Sequence, residues 1–170
     1  MIVRGYNLEK PIVGAPNFRL QELVRSQTAT RLSIDNFPND DKIIDNLYYL
    51  ARNVLQPLRD LIGKQIKITS GYRCPELNAA VGGSERSFHC HGQAVDLRFR
   101  YKEDGQLIDL FKTIYTELKF TELIAEELPN GWLHVAYAKG RENERQLKYK
   151  LVNNPVRKAD YQEIVNRLGG

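Results

Sequence analysis

Within ten residues, SFHCHGQAVD (Ser87 to Asp96), the sequence sets two histidines, a cysteine and an aspartate, and its last histidine, His134, follows in GWLHVAY. Neutral imidazoles and a carboxylate are good ligands for a divalent cation. Two histidines and one acid with a fourth position open make the composition of a catalytic zinc site, whereas closed structural sites use four protein ligands rich in cysteine. Two sets therefore compete. One is His89, Asp96 and His134. The other draws Cys74 and Cys90 together with His89 and His91, although adjacent residues seldom all turn toward one ion.

The first set needs a scaffold that brings distant residues to one face. QAVDLRF alternates as a strand, which puts Val95, Leu97 and Phe99 on a core face and Ala94, Asp96 and Arg98 on the other. WLHVAY alternates likewise, with Leu133, Val135 and Tyr137 inward and Trp132, His134 and Ala136 outward. If the two strands are sheet neighbours, Asp96 and His134 share the outer face. His89 then swings in from the preceding loop, with Gly92 allowing the bend and Ala94 leaving room beside the carboxylate. Taken singly, each of these residues is ordinary: a hydrogen-bonded strand histidine, an edge aspartate.

Other elements follow from the same periodicities. FRLQELVRS places Leu20, Leu23 and Val24 at helical spacing. Between Asp40 and Leu61 one apolar stripe runs through Ile43, Ile44, Leu47, Tyr48, Ala51, Val54, Leu55, Leu58 and Leu61; Asp40 or Asp41 caps it, and Pro57 predicts a kink or restart. QIKIT reads as a short strand leading into SGYRCPELNAAVGGS, which carries loop signals and the flexible pair Gly82-Gly83. DGQLIDLFKTIYTEL reads as a helix. TELIAEE, an LPNG turn and WLHVAYA predict a hairpin, RQLKYKL a further strand, and DYQEIVNRL a closing helix. Helices first and strands later predict an α+β fold, a single domain whose antiparallel sheet carries the site with helices on the opposite face. The chain divides into a helical lead-in (about 1–64), a site-bearing core (about 65–140) and a C-terminal strand and helix (about 141–170).

Composition narrows the function classes without choosing one. With 42% hydrophobic and 27% charged residues, the chain has the make-up of a globular domain. Its 25 basic and 21 acidic residues leave a formal charge of +4, and the basic residues are spread along the chain, which argues against a nucleic-acid-binding domain. No stretch approaches the ~18 apolar residues of a membrane span, and the N-terminus lacks a secretory pattern. The reading is of a protein made in the cytoplasm. Cys74 and Cys90 are too few for a disulfide framework and are read as reduced thiols.

Three blocks carry a resemblance to the M15 family of zinc peptidases, in the branch of D-alanyl-D-alanine carboxypeptidases and phage-type murein peptidases. SGYRCPELNAAVGGS is similar to the family's Ser-Gly-Tyr-Arg loop, SFHCHGQAVD fits S-x-H-x-x-G-x-A-x-D, and GWLHV fits the strand bearing the last histidine. The upstream NFRLQELVRSQTA and VLQPLRDLIG resemble that branch's helical lead-in. The resemblance implies a single Zn2+ held by His89, Asp96 and His134, with Cys90 and His91 as bystanders. It implies that Arg73 meets a substrate carboxylate or an oxyanion, unless it only forms a loop salt bridge. Ser87 is expected to bind substrate or cap its loop, and Trp132 to line the substrate groove or simply pack.

The general base follows from a departure. Some members of the family carry an acid three residues before the last histidine, where this chain has Gly131. The resemblance here is to the branch whose base ends the previous strand, in LIAEE. It favours Glu126 over Glu127, a choice that strand alternation leaves open. The implied substrate is a peptide of peptidoglycan, reached at the bacterial wall by a phage- or prophage-type release or met inside the cell as a soluble wall precursor. The alternative is an inactive zinc-containing wall- or partner-binding module.

Overall fold

The structure, a computed structural model, describes residues 1–101, 106–128 and 131–169. Two small hairpins open the chain, β1 (Ile2–Val3) with β2 (Tyr6–Asn7) and β3 (Pro11–Ile12) with β4 (Ala15–Arg19). The sequence reading gave this segment no structure. Gly5 and Gly14 mark the turns at φ of +84° and +80°, values that suit residues without a Cβ. Helices α1 (Leu20–Val24) and α2 (Gln27–Leu32) follow, the second capped by Ser26.

The long apolar stripe forms one helical run: α3 (Asp41–Leu50), a π-helical segment (Ala51–Leu55) and α4 (Gln56–Ile62). Asp40 caps it through Lys42 N. Pro57 opens α4 without breaking the run, because the widened segment before it takes up the missing N–H and the ring.

Next come β5 (Ile66–Ser70), α5 (Pro75–Ala80), a 3₁₀ turn at Phe88–His91, β6 (Ala94–Phe99), α6 (Leu107–Glu117), β7 (Glu122–Leu128), β8 (Trp132–Ala136), β9 (Gln146–Leu151), β10 (Arg157–Lys158) and α7 (Tyr161–Arg167). α5 lies inside the stretch expected to be loop. Its N-cap is the thiol of Cys74, which accepts from Leu77 N at 3.4 Å. Of the glycine pair only Gly82 has a positive φ; Gly83 is needed because a Cβ there would meet Asn78 Oδ1 at 2.1 Å. The start of the predicted helix at Asp104-Gly105 and the Pro129-Asn130 part of the LPNG turn lie outside the described residues.

The architecture is α+β. Six strands form one sheet in the order β10-β9-β7-β8-β6-β5, antiparallel except where β9 runs parallel to β7. Val95, Leu97, Leu133, Val135, Leu123 and Ala125 point to one face and join Leu47, Leu50, Leu55, Leu58, Leu110, Phe111 and Ile164 from the helices in one core. The opposite face carries the polar row described next. Among the described residues no helix is long and apolar enough to cross a membrane.

Candidate metal and active site

Strand pairing aligns the site. Asp96 on β6 stands opposite His134 on β8, His134 opposite Ile124 on β7, and Ile124 opposite Lys148 on β9. His89 arrives from the 3₁₀ turn, whose start Ser87 caps through His89 N at 3.3 Å. Gly92 closes that turn at φ +66°, pressed so close to Ile43 O that a Cβ would sit 2.6 Å away.

These elements bring His89, Asp96 and His134 together, all buried. Asp96 Oδ1 lies 3.2 Å from His89 Nε2 and 3.0 Å from His134 Nδ1, and the two nitrogens are 3.0 Å apart. His89 donates its Nδ1 proton to the carbonyl of Gly71 at 2.6 Å, which leaves Nε2 of the neutral ring with a lone pair facing inward. Two imidazole nitrogens and a carboxylate oxygen thus converge at contact distance with one shared centre, and the donor set suits a borderline divalent cation such as zinc.

The charges agree with a site built for a cation. Burial pushes His89 down, outweighing the pull of Asp96. His134 is pushed up despite its burial, because Asp96 accepts a hydrogen bond from it and Asp96, Glu122 and Glu126 surround it. Asp96 is held well below the usual carboxylate range: burial opposes this, but His89 and His134 overcome it. A cation held by these three residues would take the place of the proton between Asp96 and His134.

The Ser-Gly-Tyr-Arg block supplies the wall. A Cβ on Gly71 would meet Leu23 O at 2.1 Å, and Tyr72 N donates to that same oxygen at 2.7 Å, so the block is moulded onto the end of α1. Asn36 ties it down, donating to Val24 O and Tyr72 O and accepting from Cys74 N at 2.7 Å. Arg73 follows. Its Nη1 lies 3.9 Å from Asp96 Oδ2, its Nη2 is 3.5 Å from Ser87 Oγ, and its Nε is buried without a partner among the described residues.

On the far side, β7 bulges. Between Ala125 and Leu128 the pairing with β9 shifts, so that both Glu126 and Glu127 fall beside Lys150, and Glu127 takes φ +53°. Lys150 Nζ is 3.0 Å from Glu127 Oε1 and 3.9 Å from Glu126 Oε2. Glu126 is pushed up, first by burial and then by Asp96, with His134, Lys150 and Arg73 pulling the other way. Its carboxyl therefore sits in the field of the triangle. Trp132 stands opposite Glu126, with its indole N–H buried and unpartnered among the described residues.

Cys90 and His91 lie elsewhere. With Cys74, Tyr72 and Asn78 they line a cavity of about 730 Å³ on the other side of the turn. Glu122 is a residue that sequence reasoning missed: its Oε1 lies 3.5 Å from His134 Nε2, and its Oε2 pairs with Lys148. Alternation along TELIAEE puts it on the face of Glu126, but only the register with β8 brings it behind the histidine. Asn36 had no signal in the sequence.

A family model described as Peptidase M15 matches residues 16–136, from β4 through the strand of His134. No curated protein matches the chain.

Proposed function

From the premise that this chain belongs to the peptidase M15 family, we propose that it is a zinc metallopeptidase hydrolysing a peptide bond in peptidoglycan stem peptides or cross-links. The observation that carries this is the buried triangle of His89 Nε2, His134 Nδ1 and Asp96 Oδ1, with all three separations between 3.0 and 3.2 Å. Those three residues would hold the ion. Bound there, Zn2+ supplies Lewis acidity toward water and toward the scissile carbonyl near neutral pH.

The remaining work falls to the chain's own side chains. Glu126 takes a proton from the attacking water and returns it to the leaving amine, so that water adds across the C–N bond to give a carboxylate and an amine. A half-buried carboxyl pushed up by burial is suited to both halves of that transfer. Glu127 is the weaker candidate, because its carboxylate is engaged by Lys150 at 3.0 Å.

Arg73 has its guanidinium against the site and, among the described residues, an unused Nε and Asp96 as its one acidic partner, at 3.9 Å. That supports a role in holding the negative charge of a substrate carboxylate or the developing oxyanion. Ser87 is already used by His89 N and Arg73, which favours capping over substrate binding. Trp132 forms the wall beside Glu126, where its ring would line the substrate groove. Free carboxylates and D-residues in wall peptides suit an arginine-bearing groove of this kind, at a wall reached by phage- or prophage-type release.

The test is mass spectrometry of purified muropeptides after incubation with zinc-loaded protein, beside a chelated control. A chelator-sensitive fragment of defined mass supports the proposal and names the bond. Intact muropeptides despite one bound zinc per chain turn the reading to a binding module.

A further inference from the structure

We infer that Glu122, braced by Lys148, is a positioning residue for His134, holding the imidazole's Nε2–H so that Nδ1 faces His89 and Asp96. The inference rests on the proposed metal site for its consequence, but its geometry is independent of it. An imidazole offers two nitrogens, and the partner of one decides how the other is presented. His134 Nδ1 lies 3.0 Å from Asp96 and 3.0 Å from His89 Nε2. Its Nε2 faces Glu122 Oε1 across 3.5 Å.

Register explains how Glu122 comes to do this. Ile124, directly opposite His134 on β7, is apolar and offers no acceptor. Glu122 lies two residues away on the same face, diagonal to the histidine, and is buried. A buried carboxylate needs a compensating charge. The parallel pairing of β9 with β7 provides it, setting Lys148 opposite Ile124 in the histidine's own cross-sheet row. The ammonium takes Oε2, which fixes the rotamer and leaves Oε1 for the ring. A cation held in the triangle would replace the proton on Nδ1 only. The Nε2 proton stays, and it needs a carboxylate behind it.

Glu122→Met keeps the side chain's length and removes its acceptor. The Nε2–H resonance of His134, followed by NMR of the imidazole protons, is expected to be protected in the wild type with and without metal, and to exchange faster in the variant. Zinc affinity from chelator competition is expected to fall roughly 10- to 100-fold. A role confined to sheet stability would lower the melting temperature and leave the proton unmoved. A protected proton and wild-type zinc affinity in Glu122→Met overturn the inference. Should that variant not fold, Lys148→Met, altered at a partly exposed lysine, carries the test: a smaller change in the same direction supports the brace, and no change overturns it. A wild type that takes up no zinc removes the metal reading instead, and proton exchange alone then decides the role of Glu122.

Discussion

His89 donates its Nδ1 proton to the carbonyl oxygen of Gly71 across 2.6 Å, so the Ser-Gly-Tyr-Arg block acts on the site through its backbone as well as through Arg73. Gly71 can offer that carbonyl because it lies against Leu23 O, where a Cβ would be 2.1 Å away. Gly71→Ala is expected to cost ~1–3 kcal/mol of stability through overpacking and to weaken zinc binding as the carbonyl shifts off the imidazole. Chemical denaturation and chelator competition measure the two effects, and an unchanged zinc affinity would mean that His89 is oriented without Gly71.

His134→Ala is expected to abolish both stoichiometric zinc and peptidase activity. Elemental analysis of the purified variant reads the metal directly. Retention of one zinc per chain would take His134 off the ligand set.

Cys90→Ser is expected to bind zinc as the wild type does, since Cys90 lines a cavity away from the triangle. Loss of metal in this variant would restore the cysteine-containing set to consideration.

Arg73→Ala is expected to lower kcat/KM by ~10²–10³, the usual range for losing one oxyanion-stabilising donor, with zinc still bound. Arg73→Lys should rescue little, because an ammonium lacks the planar fork. Unchanged kinetics would leave Arg73 as a loop-stabilising cation.

Glu126→Gln is expected to cost ~10²–10⁴ in kcat while zinc remains bound. Its carboxyl is pushed up in the folded chain, first by burial. A group raised on folding contributes stability below its unfolded pKa and loses it as pH rises through the folded one. Metal-free Glu126→Gln should therefore melt higher than the wild type at neutral pH, with the difference vanishing in acid below the ordinary glutamate range. Thermal melts across pH check the sign, and a neutral-pH destabilisation would place Glu126 in a favourable ion pair with Lys150.

How much of this was legible depended on whether a feature follows from local pattern or from register. Alternation in QAVDLRF and WLHVAY is enough to put Asp96 and His134 on one face, and the structure sets them directly opposite each other. The long helix was equally plain, since nine apolar positions repeat at its period. Glu122 was not readable, because its place behind His134 depends on β7 pairing with β8 in one register and on a parallel β9 bringing Lys148 alongside. The Glu126/Glu127 choice stayed open in the sequence because a bulge breaks the alternation at those two residues. α5 was hidden by its cysteine cap and its brevity, and the opening hairpins by strands of two to five residues.

Gly131 stands three residues before the last histidine, the place of the acid in the Glu-x-x-His arrangement of some members of the family. A Cβ there would lie 1.7 Å from Glu126 O and 2.8 Å from Glu127 Cβ. The backbone that presents Glu126 thus fills the space a side chain at 131 would need. The two locations for a proton-transferring acid are mutually exclusive in this scaffold. Gly131→Glu alone should disrupt the end of β7 without supplying a second base. In this scaffold, moving the acid to position 131 therefore asks for a rebuilt end of β7 as well as for a new carboxylate.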